Sequence, residues 1–275
     1  MIKLNVVVGT YNEEFMLNHW LKHHKNIFDH GIVLDYKSTD STLDLIKTIV
    51  PNWEVITAKN YQYFDAEIND KEIMECEEKL NGWKICLNTT EFIVCSDFRE
   101  KVQKLDNTNY DMVRLFGYQI NDTVEEKLNK TFNNNKSIIT QRYHGFPDPW
   151  RHRILHKKNH GHYYVGRHFD TPRNKKSPYV KDYPDHIPIM HDMILFWYRF
   201  APFYPQLKRK IQASPRIPER DKKLGYSWNH IDLNEKKIEE RWAKEVPKCK
   251  NLLENDFIKK EIEKIEKKMK HIKFI

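Results

Sequence analysis

The 275 residues carry 47 Lys and Arg against 39 Asp and Glu, a net charge of +8 that favours an anionic partner such as nucleic acid, membrane phosphate or a nucleotide diphosphate. Hydrophobic residues at 39% and aromatics at 13% exclude a disordered polyelectrolyte, while 8 Gly and 12 Pro exclude collagen-like or low-complexity character. No apolar run reaches the roughly 18 residues of a membrane span, and Leu4 to Val8 is shorter than the core of about 7–15 in a secretory signal, so the expected compartment is cytoplasmic.

Leu4 to Val8, rich in β-branched residues and stopped by Gly9, reads as a buried parallel strand. From Glu13 apolar residues recur every three or four positions (Leu17, Trp20, Leu21, His24, Ile27, Phe28), which predicts a helix capped by Asn12 and broken at Gly31. Ile32 to Leu34 forms a second strand ending at Asp35. Ser38 to Thr42 opens a second helix that Pro51 stops. Trp53 to Thr57 is a third strand, Asp65 to Leu80 an acidic-faced helix, and Trp83 to Leu87 leads through Asn88, Thr89, Thr90 and Glu91 to Phe92–Cys95. This alternation predicts an α/β fold with a doubly wound parallel sheet, in which Thr10–Glu14, Asp35–Asp40 and Asn88–Glu91 converge beyond the strand ends. Tyr110 to Ile120 is a further strand-like stretch, and Tyr143 to Pro188 reads as short strands and long loops. An apolar run from Met193 to Phe203 then leads into basic Lys208–Lys210, and the end from Asn234 is helical with dense Lys and Glu. Cys76, Cys86, Cys95 and Cys249 form no C-x-x-C pair and read as buried free thiols.

Three segments, VVVGTYNEEFMLNHWLKHH from Val6, GIVLDYKSTDST from Gly31 and WKICLNTTEF from Trp83, resemble in order the opening of GT-A glycosyltransferases of the family-2 type. The subgroup they resemble has N-E-E, W-x-x-H-H and D-x-D-E-F motifs. The likeness covers about the first hundred residues; RLFGYQI, GRHFD and RIPERDKKLGYSW beyond them match only loosely. It implies a GT-A, mostly parallel sheet flanked by helices. Residues 1–100 would be its nucleotide-sugar-binding half, 101–233 a loop-rich acceptor half and 234–275 a C-terminal helical extension. It further implies that Thr10, Tyr11, Asn12 and Glu13 line the base and ribose and that Asp35 accepts from the base edge, with Ser38 and Asp40 beside it.

The sequence departs from the family where the motif becomes Asn88-Thr89-Thr90-Glu91-Phe92: both usual carboxylate ligands of Mn²⁺ or Mg²⁺ are replaced by neutral oxygens, which hold hard cations weakly. Three readings stay open. Glu91, with His168, supports a weak metal site; or Arg151, Arg153, Arg167, Lys157 and Arg209 neutralise the diphosphate instead; or the chain is a catalytically decayed nucleotide-sugar-binding protein. Guanidinium groups suit the second by bidentate donation to phosphate. Histidines 144, 152, 156, 160, 162 and 168 lack a zinc motif, and residues 161–168 are a near miss to a phosphate-binding loop. For the base that takes the acceptor's proton, Asp148 in FPDPW is the choice over Asp170 and Asp122, with Glu91 the other catalytic carboxylate.

The expected activity is therefore transfer of a sugar from a nucleotide-sugar donor, UDP-sugar favoured, to a glycan, lipid or protein acceptor. Inversion and weak or dispensable metal dependence go with it. An apolar stripe of Phe257, Ile258, Ile262 and Ile265 is expected to pack on the domain or to mediate self-association or peripheral membrane contact. Nucleic-acid binding is disfavoured, because acids are interleaved with the positive charge.

Overall fold

The computed structural model describes residues 2–129, 132–158, 166–167, 187–227 and 230–269. The chain runs β1 Leu4–Thr10, α1 Glu14–His24, β2 His30–Asp35, α2 Thr42–Ile49, β3 Glu54–Thr57, α3 Ala66–Glu78, β4 Trp83–Asn88, β5 Glu91–Val94, α4 Phe98–Asp106 and β6 Met112–Asn121. It continues α5 Val124–Asn129, β7 His144–Pro147, β8 Arg153–His156, β9 Ile189–Phe200, α6 Phe203–Ala213, α7 Glu219–Leu224, α8 Glu235–Glu245, β10 Lys250–Asn251 and α9 Asp256–Met269.

The strands form one mixed α/β sheet in the order β10-β7-β6-β8-β4-β1-β2-β3, with β9 pairing both β6 and β5. β1, β2, β3, β4, β6, β9 and β10 run one way, and β5, β7 and β8 run the other. Both faces are covered, which explains the unbroken apolar run of β1: Leu4, Val6 and Val8 join the core cluster with α1, α4 and α9, while Val7 joins the cluster with α3. The segment expected to be loop-rich supplies β7 and β8, and the apolar run before Phe203 is the long strand β9. A period-2 pattern is absent from β9 because its last eight residues are buried on both faces.

Two local expectations change. Asn12 does not cap α1: its backbone is left-handed at φ 50° and its Oδ1 accepts from Thr39 N at 2.7 Å. The first turn is satisfied from the next loop instead, with Glu13 N donating to Thr42 Oγ1 at 3.0 Å and Glu14 N to Asp40 Oδ2 at 3.1 Å. The W-x-x-H-H stretch proves to be a brace between α1 and β5. Trp20 Nε1 donates to Glu91 O at 2.9 Å, His23 Nε2 bonds Ile93 O at 2.8 Å, and His24 Nε2 accepts from Ile93 N at 3.3 Å. On α9, Ile258, Ile262, Ile265 and Met269 enter the main core, whereas Phe257 is exposed. The chain itself thus covers the apolar stripe.

Candidate functional site

A cavity of about 290 Å³ opens at the C-terminal ends of β1 and β4, between α3 and α6. That is where an open α/β sheet places ligands, because strand ends leave backbone groups and loops converging on one crevice. Of the residues expected there, Thr10, Tyr11, Glu13, Asn88, Arg151, Arg153 and Arg167 line it. Asp35, Asn12 and Ser38, expected beside the base, are not in its lining. Asp35 is 2% exposed and both its oxygens accept from Ser38 N, at 3.1 and 3.2 Å, while Ser38 Oγ accepts from Asn12 N at 3.0 Å. Short polar side chains at these positions tie two loops together.

One part of the cavity is aromatic. Tyr11 and Phe64 meet edge to face at 6.1 Å, Phe64 lies 5.9 Å from Tyr36, and the Arg216 guanidinium covers the Tyr11 ring at 3.5 Å. Burial pushes the Tyr36 phenol up, so it stays protonated, and its oxygen is buried with no hydrogen-bond partner among the described residues. Flat rings and a guanidinium plane give this part of the cavity a surface suited to stacking.

The rest is cationic. Arg209 Nε donates to Glu13 Oε1 at 2.5 Å, and Arg151 stacks on Trp197 at 3.7 Å. Burial lowers the Arg151 guanidinium to about 10, the charges of Arg153 and Arg199 adding to the effect against the pull of Asp148. Gly117 makes room for this turn, since a β-carbon there would stand 2.0 Å from Arg151 O. Next to Arg209, Lys210 is 3% exposed and held well below the usual lysine range by burial and by Arg209, Arg199, Arg151 and Arg241. His230, which lines the cavity with an Nδ1 that has no partner among the described residues, is held down in the same way. Each arginine of the cavity also has an acid partner: Arg209 with Glu13, Arg167 with Asp70, Arg153 with Glu91 and Arg151 with Asp148.

The residues expected to hold a metal do not fit one. Glu91 is 1% exposed and its two oxygens accept from Arg153 Nε and Nη2 at 2.7 and 2.6 Å; one also accepts from Asn88 N at 2.8 Å. Asn88 Oδ1 accepts from Arg167 Nη2 at 2.9 Å, so a guanidinium occupies the carbonyl oxygen a cation would need. Thr90 is buried and outside the cavity lining, and His168 lies outside the described residues. Glu91 is thereby the anchor of Arg153 and does not line the cavity. Asp148 does not line it either: its carboxylate accepts from Trp150 N at 3.0 Å and faces Arg151 Nε at 3.8 Å, holding the turn. Lys157 faces Asp106 and Asp111. Asp70, unforeseen from sequence, lines the cavity, bonds Arg167 at 2.5 Å and Gly166 N at 2.8 Å, and has its acidity weakened by burial. Its only trace in the sequence is an acid on the inward side of the α3 pattern. Tyr36 lies within the quoted GIVLDYKSTDST segment and Arg216 opens the loosely matching RIPERDKKLGYSW, but neither stands out there as a site residue, and Phe64 and His230 come from segments without a pattern.

No known family matches the sequence, and no curated protein does. Solved structures with partial likeness include S. aureus TarS in complex with UDP, at 19% identity and a TM-score of 0.37, covering 56% of this chain and 46% of that one. Glucosyl-3-phosphoglycerate synthase from Mycobacterium tuberculosis with Mn²⁺, UDP and glucosyl-3-phosphoglycerate is 12% identical, with a TM-score of 0.35 and 57% of each chain covered. A putative glucose-1-phosphate thymidylyltransferase from Bacillus anthracis is 12% identical with a TM-score of 0.34, over 57% of this chain and 72% of that one. The chain thus spans about half the length of the first two, and likenesses at these scores bear no weight on the chemistry of the cavity.

Proposed function

We propose that the chain is a GT-A-type glycosyltransferase that binds a nucleotide diphosphate sugar, UDP-sugar favoured, and uses cationic side chains in place of a divalent metal. The observation that carries this reading is one crevice at the strand ends combining an aromatic wall of Tyr11, Tyr36 and Phe64 with Arg151, Arg153, Arg167, Arg209 and His230. The base stacks on the rings, and the diphosphate lies against Arg151, Arg209 and His230. In the transfer an acceptor hydroxyl attacks the anomeric carbon, the bond to the diphosphate oxygen breaks, and its electron pair leaves with the nucleoside diphosphate. Fixed cations stabilise that growing charge. The hydroxyl proton passes to a carboxylate; Glu13 and Asp70 line the cavity and take the place of Asp148 as candidates, both weakened as acids by burial, as a base working near neutral pH requires.

The test is release of UDP or GDP from a panel of nucleotide sugars with an oligosaccharide or glycolipid acceptor, with and without EDTA. Release that survives EDTA and is lost in Arg209→Ala supports the proposal. Release that needs added Mn²⁺ overturns the metal-free mechanism. Calorimetric binding of UDP without release by any donor and acceptor pair would make the chain a nucleotide-sugar-binding protein, and no binding at all would end the reading.

A further inference from the structure

Two buried polar atoms of residues that line the cavity at the strand ends have nothing to bond, and stacking and phosphate contact engage neither. Tyr36 is 4% exposed and lines the cavity, yet its hydroxyl has no hydrogen-bond partner among the described residues. Its backbone N donates to Thr10 O at 2.9 Å, one residue beyond the last β1–β2 pair. Gly9 leaves the ring its room, since a β-carbon there would stand 3.2 Å from Tyr36 Cε2. The second atom comes from α3, whose Ala66, Asn69, Asp70 and Ile73 line the cavity at i, i+3, i+4 and i+7, one face of the helix. Asp70 is taken up by Arg167 and Gly166 N. Asn69 Oδ1 is buried and has no partner among the described residues.

Both residues belong to the same side of the sheet. Tyr36 shares a core cluster with Ile73, one helical turn after Asn69, and Tyr11 and Phe64 pack against that cluster. A hydroxyl and an amide oxygen buried without partners are costly, and native interiors hold few of them. Aromatic rings beside an acceptor and a hydroxyl suit a flat ring that carries an N–H next to an acceptor on its edge. Asp35, which the resemblance put at that edge, is outside the lining and has both oxygens on Ser38 N.

We propose that Tyr36 and Asn69, in place of Asp35, read the hydrogen-bonding edge of the nucleobase. The inference rests on the nucleotide-sugar reading above and names the groups that give that site its base specificity. For uracil, Asn69 Oδ1 accepts the N3–H and the Tyr36 hydroxyl donates to a carbonyl beside it. Both readers are neutral, so they add little to the attraction of the diphosphate and act on the choice of base. A site built to hydrogen-bond a ligand group rejects an analogue lacking it, because its own buried polar atoms are then left unpaired.

Calorimetry on the full chain compares UDP, N3-methyl-UDP and inorganic pyrophosphate, which carries the charge without a base. The wild type is expected to bind UDP about tenfold or more tightly than N3-methyl-UDP, whose methyl group removes the N–H. Tyr36→Phe deletes only an oxygen that no described residue holds, and Asn69→Ala removes the amide. Each is expected to weaken UDP by about fivefold or more and to leave pyrophosphate unchanged. Asp35→Asn, which still accepts from Ser38 N, is expected to hold UDP as the wild type does. Equal binding of UDP and N3-methyl-UDP by the wild type overturns the assignment, and this measurement needs no variant to fold. Unchanged UDP affinity in folded Tyr36→Phe or Asn69→Ala overturns it too, as does a larger loss in folded Asp35→Asn; each of these leaves nucleotide binding itself standing. A wild type that binds none of UDP, GDP, CDP and ADP overturns both this assignment and the reading beneath it.

Discussion

Glu91 and Arg153 are each 1% exposed and bonded through two guanidinium nitrogens, so removing one charge strands the other in a low-dielectric interior. Glu91→Gln is therefore expected to lower unfolding free energy by about 3–5 kcal/mol, measured by urea denaturation. A ligand of a dispensable metal would show no such loss. Gly117 makes a different claim. Alanine there drives a methyl into Arg151 O and moves the turn that carries the Arg151 guanidinium, so Gly117→Ala is expected to weaken UDP binding by calorimetry while the protein stays folded. Loss of folding together with binding would instead make Gly117 a packing residue only. The motif residues of the first hundred positions were legible as a group because strand ends must converge. Their individual roles were not: Asn12, Asp35 and Ser38 are short polar groups that satisfy one another across two loops, and residue type alone does not separate that from contact with a ligand.

At the scale of elements, α6 brings Arg209 to the cavity with the buried Lys210 next to it in sequence and outside the lining, and the segment after α7 adds His230. Burial and neighbouring cations lower the proton affinity of Lys210 and His230, and a bound diphosphate raises it again. UDP binding is thus expected to take up protons and to weaken as pH rises. Calorimetry in buffers of different ionisation enthalpy reads the uptake, and Lys210→Met or His230→Gln should reduce it; equal heats in every buffer would refute the coupling. The C-terminal helix makes a simpler claim. Side chains of Ile258, Ile262, Ile265 and Met269 are buried in the main core, each worth about 1.5–3 kcal/mol, so truncation after Asn255 should remove most of a typical domain's stability. The helical period of α9 announced this stripe. By contrast, β9 gave no period to read, and α4 hides behind a charged stretch in which only Phe98, Val102 and Leu105 are buried.

Across the molecule, buried neutral histidines set the acid limit. Burial holds His19, His23 and His152 at about 4 against a usual 6.5, with Lys22 adding to the effect at His19. The unfolded chain binds protons at these sites below pH 6.5 and the folded chain does not, so stability is full above 6.5 and falls toward pH 4. The slope is about 1.4 kcal/mol per pH unit for each histidine. Asp122, raised to about 6 mainly by burial, works in the opposite direction over much of that window and offsets about one histidine. Urea midpoints should therefore drop steeply between pH 6.5 and 5; a flat profile would mean the histidines are solvated. These contacts join distant parts of the chain, which is why sequence patterning gave the elements of the first half in order but not the residues that close the site from the second.

β8 sits between β4 and β6 and pairs with Lys84 and Ile85, yet it is made about seventy residues after them. During synthesis, then, the nascent parallel layer emerges with the outer edge of β4 uncovered and Glu91 awaiting Arg153. An unpaired, apolar strand edge is a template for other chains. Ribosome-released fragments ending near residue 100 are accordingly expected to aggregate or recruit chaperones, and chains that extend through α9 to stay soluble. For this protein, the order in which the ribosome delivers strands is a hazard that the finished sheet no longer displays.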